Sequence, residues 1–141
     1  MAELMLTEQA ENLLTAYCAA VDGRHLDQIR ALFTDDGTFC TRGMLMMPPE
    51  RDAFFTQPWA SSDDRSTQVW QDVRATRDGD TVTINAQLTA TFILPDGSVR
   101  LAFGHYDDLA EMTADGLRLR AKQIILDHIE VVPTDRASTQ P

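Results

Sequence analysis

The sequence predicts an α+β domain, with helices in its first part covering one face of a mostly antiparallel sheet in its second part. Apolar residues recur at helical spacing up to about residue 58, and apolar and polar residues alternate from residue 67 onward. Turns rich in Asp and Gly, such as Arg77-Asp78-Gly79-Asp80, separate the alternating segments. Tight turns between long strands give an antiparallel meander, and helices that precede a meander cover only one of its faces.

Residues with known preferences for helix ends and turns bound the predicted elements. Thr7 is the predicted N-cap of the first helix and Gly23 its end, and Pro48 fits the first turn of the third helix. Asp35-Asp36-Gly37 predicts a turn after the second helix. The predicted helices are 7–22, 25–34 and 48–58, and the predicted strands are 38–47, 67–77, 81–94, 98–112 and 117–131.

The alternation along each strand predicts which side chains are buried. Successive side chains point to opposite faces, so residues 81–94 have a clear apolar face against a polar one. The same rule places polar groups on the apolar faces of the two last strands. The residues expected on the buried faces of the other three long strands are Thr67, Val69, Val73, Ala75, Val99, Leu101, Phe103, His105, Asp107, Leu109, Leu117, Leu119, Ala121, Gln123, Ile125, Asp127, Ile129 and Val131.

His105 is the first candidate for chemistry among these residues. A buried imidazole or carboxylate has to find a partner or shift its pKa, and proton-transfer sites use such groups. The alternative for His105 is a hydrogen-bonded residue of the core or rim without chemistry. Asp127 has the alternative of ending its strand at a solvated edge. With Asp107 and Gln123 on matching faces, these residues predict a pocket with a polar floor.

Composition excludes several classes of partner. Twenty-two acidic residues against twelve basic ones give a net charge of −10, which repels nucleic acid and anionic membranes. The N-terminal residues show no secretory signal, and no apolar stretch is long enough to span a membrane. Cys18 and Cys40 have no pairing pattern and fit reduced thiols in a cytoplasmic protein. The three histidines have no metal-ligand spacing, so no metal site is predicted.

The order of elements and two motifs resemble a known superfamily. The run Leu32-Phe33-Thr34-Asp35-Asp36-Gly37-Thr38-Phe39 follows two helices, and the meander ends in Asp115-Gly116-Leu117-Arg118-Leu119-Arg120. Over about residues 8–132 the chain resembles the NTF2-like superfamily, and within it is most similar to the SnoaL-like group and the related beta subunits of ring-hydroxylating dioxygenases. We therefore expect one domain over residues 1–132 and a flexible tail at 133–141.

This resemblance implies a sheet bent around the helices into a cone, whose apolar concave face forms a pocket for a small hydrophobic molecule. Members of the superfamily include cofactor-independent isomerases, dehydratases, cyclases and epoxide hydrolases, and also proteins without any chemistry. Exposed sheet faces in this superfamily commonly pair, which implies a homodimer. An acid–base mechanism of the kind that the resemblance implies requires neither a metal nor an organic cofactor.

The resemblance also implies roles for single residues. Many relatives carry a pocket-facing His where this chain has Gln68, which cannot shuttle a proton near neutral pH. His105 is then the expected general acid or base, oriented by Asp107 or Asp127, while Tyr17 and Gln68 hydrogen-bond the substrate. A desolvated carboxylate is the alternative base. The further residues expected to contact the substrate are Cys40, Trp59, Trp70, Phe103 and Gln123.

Two functional hypotheses follow from the sequence. The first is a small cofactor-independent enzyme that acts on a hydrophobic substrate by His/Asp general acid–base catalysis. The second is a noncatalytic subunit that resembles the dioxygenase beta subunits and holds a larger oxygenase together, or a small-molecule binding protein. An open cavity with a polar floor would favour the first hypothesis, and a filled interior would favour the second.

Overall fold

A computed structural model of the chain describes residues 2–60 and 65–133, with side chains described for 5–56 and 66–133. A six-stranded sheet in the order β2-β1-β6-β5-β4-β3 is antiparallel except for the parallel pair β1 and β6. The elements are α1 Ala2–Asp22, α2 Leu26–Ala31, β1 Phe33–Thr41, β2 Met44–Met46, α3 Pro48–Ala60, β3 Arg65–Asp78, β4 Thr81–Ile93, β5 Val99–Thr113 and β6 Gly116–Val132.

The predicted α+β architecture is confirmed, while α1 starts earlier than predicted, α2 ends earlier and α3 ends later. Helix α1 begins at Ala2, so Thr7 is an internal residue and not the predicted N-cap. Its predicted end is confirmed, because the backbone N–H of Gly23 closes the last turn on the carbonyl of Ala19. None of the helices in the described part of the chain is long and apolar enough to cross a membrane.

Strand β1 corrects one predicted turn. Asp35-Asp36-Gly37 lies inside this strand, where the pairing with β6 shifts register between Phe33 and Thr38. A bulge therefore replaces the expected turn. The real turn comes later, at Arg42 and Gly43, whose φ angles of 54° and 74° are in the left-handed region. It divides the predicted strand 38–47 into the hairpin of β1 and β2.

Helix α1 covers the concave face of the sheet, and the hydrophobic core lies between them. The face predicted for β4 is confirmed, since Val82, Ile84, Ala86, Leu88 and Ala90 are all buried. The face predicted for β5 is wrong. Its buried side chains are Ala102, Tyr106, Asp108 and Ala110.

Bulges explain part of the error in the predicted buried faces of β3 and β6. In β6 the register against β5 shifts between Leu119 and Ala121, so Leu119 faces the core as predicted and Lys122 faces it next. In β3 the shift lies between Gln71 and Arg74. A one-residue bulge moves every later side chain of a strand to the opposite face. Ala75, beyond the bulge, therefore packs against the core as predicted, whereas Val69, before it, points outward although it was predicted to lie on the same buried face.

Candidate functional site

The structure places the three residues predicted to be catalytic on the convex, outer face of the sheet. His105 and Asp127 face each other there, with Nδ1 of His105 3.2 Å from Oδ2 of Asp127 and side chains 42% and 61% exposed. Asp107 is also exposed. Their predicted burial in the concave pocket is wrong, because the inner face of β5 is the one that carries Tyr106 and Asp108.

The predicted substrate contacts divide between the two faces. Tyr17 is buried in the interior, Gln68 accepts a hydrogen bond from the buried Tyr106 hydroxyl, and Trp70 packs against the core. Cys40 is half-buried, opposite exposed Gln123 in the register of β1 and β6, and Phe103 is exposed on the outer face. Cys40, Gln123 and Phe103 therefore do not face the interior. The side chain of Trp59 lies outside the described residues.

An ion pair lies at the centre of the concave face. Nζ of Lys122 on β6 is 2.6 Å from Oδ2 of Asp108 on β5, and both side chains are completely buried. The other Asp108 oxygen accepts a hydrogen bond from the backbone N–H of Gln123, at 3.1 Å. The ammonium also lies 3.4 Å from the ring centroid of Tyr106 and 4.3 Å from that of Tyr17. Two aromatic faces and one carboxylate thus surround a single cation.

Contacts lead from this pair towards the end of α1: the ammonium lies over the Tyr106 ring, and hydrogen bonds continue from the Tyr106 hydroxyl. The Tyr106 hydroxyl donates to Oε1 of Gln68 at 3.0 Å and lies 3.7 Å from the sulfur of Cys18. Asp22, the last residue of α1, accepts hydrogen bonds from the Ser66 hydroxyl and from the backbone N–H of Gln68, both at 3.0 Å. The Gln68 side chain hydrogen-bonds Asp22 as well. Asp22 is only half-buried, so this end of the chain reaches solvent.

We call this connected set the interior network. Its members share burial on the concave side and polar contact with one another. They are Tyr17, Cys18, Asp22, Ser66, Gln68, Tyr106, Asp108 and Lys122.

Burial shifts the proton affinities of the network. Desolvation raises the pKa of Asp108, against the opposing effect of the Lys122 charge. It also lowers the pKa of Lys122, against the opposing effect of Asp108. The pKa of Asp22 is raised by burial, although hydrogen bonds from Gln68 and Ser66 act in the opposite direction. Burial also raises the pKa of Tyr106, so it remains a neutral hydroxyl.

Side chains fill the part of the interior where an open pocket was expected. Tyr17, Tyr106, Asp108 and Lys122 are at most 2% exposed. One hollow, of about 370 Å³, lies at the surface between the start of α1 and β3, beside Met112. Another, of about 380 Å³, lies on the outer face and includes His105 and Asp127. Neither is the predicted apolar cone.

Sequence reasoning missed Asp22, Asp108 and Lys122. Lys122 had a detectable signal, since it is the single lysine of the chain. Asp108 was assigned to the wrong face together with the whole of β5. Within the described residues no group of three or more His, Cys, Asp or Glu is arranged to hold a metal ion.

Comparison with known proteins gives a family match and several similar structures. The model of the SnoaL-like domain family matches residues 2–123. A structure of the Kfla4162 protein from Kribbella flavida is 25% identical, with a TM-score of 0.80, over 89% of this chain and 93% of that one. Comparison with curated proteins gives no significant match.

Two further solved structures have the same fold at lower identity. One is described as the beta subunit of an aromatic-ring-hydroxylating dioxygenase from Novosphingobium aromaticivorans, with 19% identity, a TM-score of 0.77 and coverage of 92% of this chain and 94% of that one. The other is the hexachlorocyclohexane dehydrochlorinase LinA-type3 from Novosphingobium barchaimii, with 14% identity, a TM-score of 0.75 and 88% of both chains covered. At these identities the likeness shows the fold alone.

Proposed function

The chain belongs to the SnoaL-like domain family, and from this premise we propose that it is a cofactor-independent enzyme of lyase or isomerase type that acts on a small hydrophobic substrate. The observation that carries the proposal is the interior network, in which hydrogen bonds of Gln68 join half-buried Asp22 to Tyr106, and the Tyr106 ring contacts the ammonium of the fully buried pair of Asp108 and Lys122. A buried ion pair is weak evidence for stability, because desolvation offsets much of its attraction. Perturbed groups clustered in this way are typical of functional sites.

Asp22 is the proposed general base. It replaces His105 in that role, since His105 faces solvent on the other side of the sheet. The raised pKa of Asp22 makes its carboxylate a stronger base than an ordinary aspartate, and its partial exposure lets a substrate approach. This is the desolvated carboxylate that the sequence left open as the alternative base.

Ser66 and Gln68 are the proposed substrate-binding groups beside Asp22. Both hydrogen-bond the carboxylate in the free protein, and both are therefore placed to hydrogen-bond a carbonyl or hydroxyl oxygen next to the proton that Asp22 removes. Tyr106 is a positioning residue here. Its hydroxyl donates to Oε1 of Gln68, which directs the amide nitrogen towards Asp22.

Such a site would support isomerisation, dehydration, cyclisation or epoxide opening, all of which need a proton removed and a substrate oxygen held. We test this with a panel of small hydrophobic carbonyl, hydroxy and epoxide compounds in D₂O, followed by NMR for both product and deuterium exchange. Asp22→Asn is expected to lower turnover by about 10²- to 10⁴-fold. Asp127→Asn is the matched control on the outer face and is expected to leave turnover unchanged. Equal turnover in wild type and Asp22→Asn would remove the proposed base.

A noncatalytic subunit of the dioxygenase-beta type is the second candidate. The filled interior favours it, because Tyr17 and Tyr106 occupy the space where a substrate would otherwise lie. The similarity to a chain described as such a subunit also supports it. This candidate predicts no turnover with any compound of the panel, for wild type as well as for Asp22→Asn, together with stable association with a larger oxygenase chain.

We also propose a homodimer that pairs through the outer face of the sheet. Val69, Ile93 and Phe103 are exposed apolar side chains on neighbouring strands of that face. Phe103→Asp is expected to shift the sedimentation coefficient towards that of a monomer, while Leu45→Asp, in the exposed β2 hairpin, is not. A wild-type protein that sediments as a monomer would exclude the dimer.

A further inference from the structure

Lys122 is the only lysine of the chain, and the other eleven of its twelve basic residues are arginines. The single lysine is completely buried at the centre of the interior network. We propose that Lys122 is a nucleophilic amine that forms a Schiff base, and that the interior therefore takes small aldehydes and ketones. This inference rests on the proposed function, because it names a substrate class for the same site.

The choice of lysine has a chemical consequence. A guanidinium stays protonated in proteins and forms strong paired hydrogen bonds with a carboxylate, so arginine would suit a purely structural ion pair. Only a primary amine condenses with a carbonyl carbon. A chain that uses arginine elsewhere and lysine at this one buried position thus has an amine where that chemistry becomes possible.

The paired carboxylate supplies the proton balance. Burial disfavours both charges of the pair, lowering the pKa of Lys122 and raising that of Asp108. In the proposed reactive form the proton has moved from Nζ to Oδ2, across the 2.6 Å that separate them. That form has a neutral amine beside a neutral carboxylic acid, which are the two forms that imine formation needs.

The covalent step then balances without a further reactant. The Nζ lone pair forms a bond to the carbonyl carbon, and the C=O π electrons move to oxygen, which takes up a proton from nitrogen and gives a carbinolamine. Asp108 then donates its proton to that hydroxyl, the C–O bond breaks, water leaves, and the nitrogen lone pair completes the C=N bond. Amine, carboxylic acid and carbonyl compound become iminium, carboxylate and water.

The surroundings stabilise the product as they stabilise the starting ion pair. The iminium carries its positive charge on the same nitrogen, so it keeps the Asp108 carboxylate and the faces of Tyr106 and Tyr17 as partners. The reacting carbonyl compound must be small, because the ring centroid of Tyr17 lies 4.3 Å from Nζ and the ring packs edge-on against Phe55. Entry requires that contact to open, as local openings of native proteins do.

The test uses the folded wild-type protein, propanal and sodium cyanoborohydride, which reduces an iminium to a stable secondary amine. Lys122 and the N-terminal amine are the two primary amines of the chain, so the N-terminus is an internal reference. Peptide mass mapping gives the ratio of Lys122 to N-terminal alkylation, in the folded protein and in urea. We expect a higher ratio in the folded protein. A lower ratio in the folded protein than in urea would overturn the proposal.

A matched pair of variants tests the role of the carboxylate. Asp108→Asn removes the acid and is expected to slow alkylation of Lys122 by about 10²-fold. Asp127→Asn, on the outer face of β6, is expected to leave the rate unchanged. An equal rate in all three proteins would contradict the step through Asp108. If Asp108→Asn does not fold, the folded-to-urea ratio of the wild type decides the proposal.

The outcomes separate this inference from the proposed function. Asp22→Asn is expected to lose turnover and to keep alkylation of Lys122, because Asp22 lies at the other end of the network. Alkylation of Lys122 without any turnover would contradict the proposed enzyme and support the reactive amine. Turnover of a carbonyl substrate without alkylation of Lys122 would support the proposed enzyme and contradict the reactive amine.

Discussion

The two faces of strands β5 and β6 carry the same kind of pair in opposite surroundings. On the inner face Lys122 and Asp108 are 2.6 Å apart and completely buried. On the outer face His105 and Asp127 are 3.2 Å apart, with side chains 42% and 61% exposed. Burial disfavours the charged forms of the inner pair, whereas solvent screens the charges of the outer pair.

This difference in burial indicates which of the two pairs can take part in chemistry. A pair in water is worth little, and removing it costs little. A pair in the interior is retained against a large desolvation penalty and also shifts the proton affinities of its neighbours. The residue types alone do not separate the two cases, because a histidine with an aspartate has the more familiar catalytic pattern. Burial separates them.

The sharpest test of the comparison is Lys122→Met. It leaves the buried Asp108 without its counter-charge, and we expect the free energy of unfolding to fall by about 3–5 kcal/mol. Urea unfolding at neutral pH measures this. The double variant with Asp108→Leu is expected to recover most of the loss, because an apolar pair needs no desolvation. A stable Lys122→Met single variant would show that the inner pair is as weak as the outer one.

A second prediction concerns the point where the two strands approach most closely. A Cβ added at Gly104 on β5 would overlap the backbone carbonyl oxygen of Ile125 on β6. Backbone atoms yield less readily than a side chain, so Gly104→Ala is expected to lower the free energy of unfolding by about 1–3 kcal/mol. Gly43 has nothing within 4 Å of the corresponding position, so Gly43→Asn is the control. An unchanged free energy of unfolding in Gly104→Ala would mean that β5 and β6 can move apart at this point.

A third prediction is a pH dependence that arises from Asp22. Its raised pKa means that the folded protein holds this proton more tightly than the unfolded chain does. Ionisation therefore costs stability. The wild type should lose stability relative to Asp22→Asn as pH rises from about 3.8 through the raised pKa, by less than about 1 kcal/mol because Asp22 is half-exposed. Urea midpoints for both proteins across that range measure it, and a difference that does not change with pH would contradict it.

The smallest effect is expected on the outer face. His105→Ala removes one member of a solvated pair, and we expect a change within about 0.5 kcal/mol in the free energy of unfolding. Turnover on the substrate panel should be unchanged, since His105 does not reach the interior. A large loss of turnover in this variant would restore the catalytic role predicted from the sequence, and would place the reaction in the outer hollow beside Asp127.

The fold was predictable to a large extent from local patterns. The alternation in β4 was read correctly, and Gly23 marks the end of α1 as expected. The face of β5 was not predictable in the same way, because each of its faces carries both apolar and ionisable residues. Leu101 and Phe103 share the outer face with Asp107, whereas Ala102 and Tyr106 share the inner face with Asp108. The alternation therefore selected the face with more large aliphatic and aromatic residues, which is the outer one.

Periodicity, turn residues and local motifs are enough to predict the element order, the antiparallel meander and the family of the chain. Which polar residues are buried depends on contacts between elements, which no local pattern contains. The bulges of β3 and β6 invert the alternation after them, and the packing of α1 selects the inner face of β5. Lys122, Asp108 and Asp22 belong to one network because β3, β5 and β6 meet beneath α1.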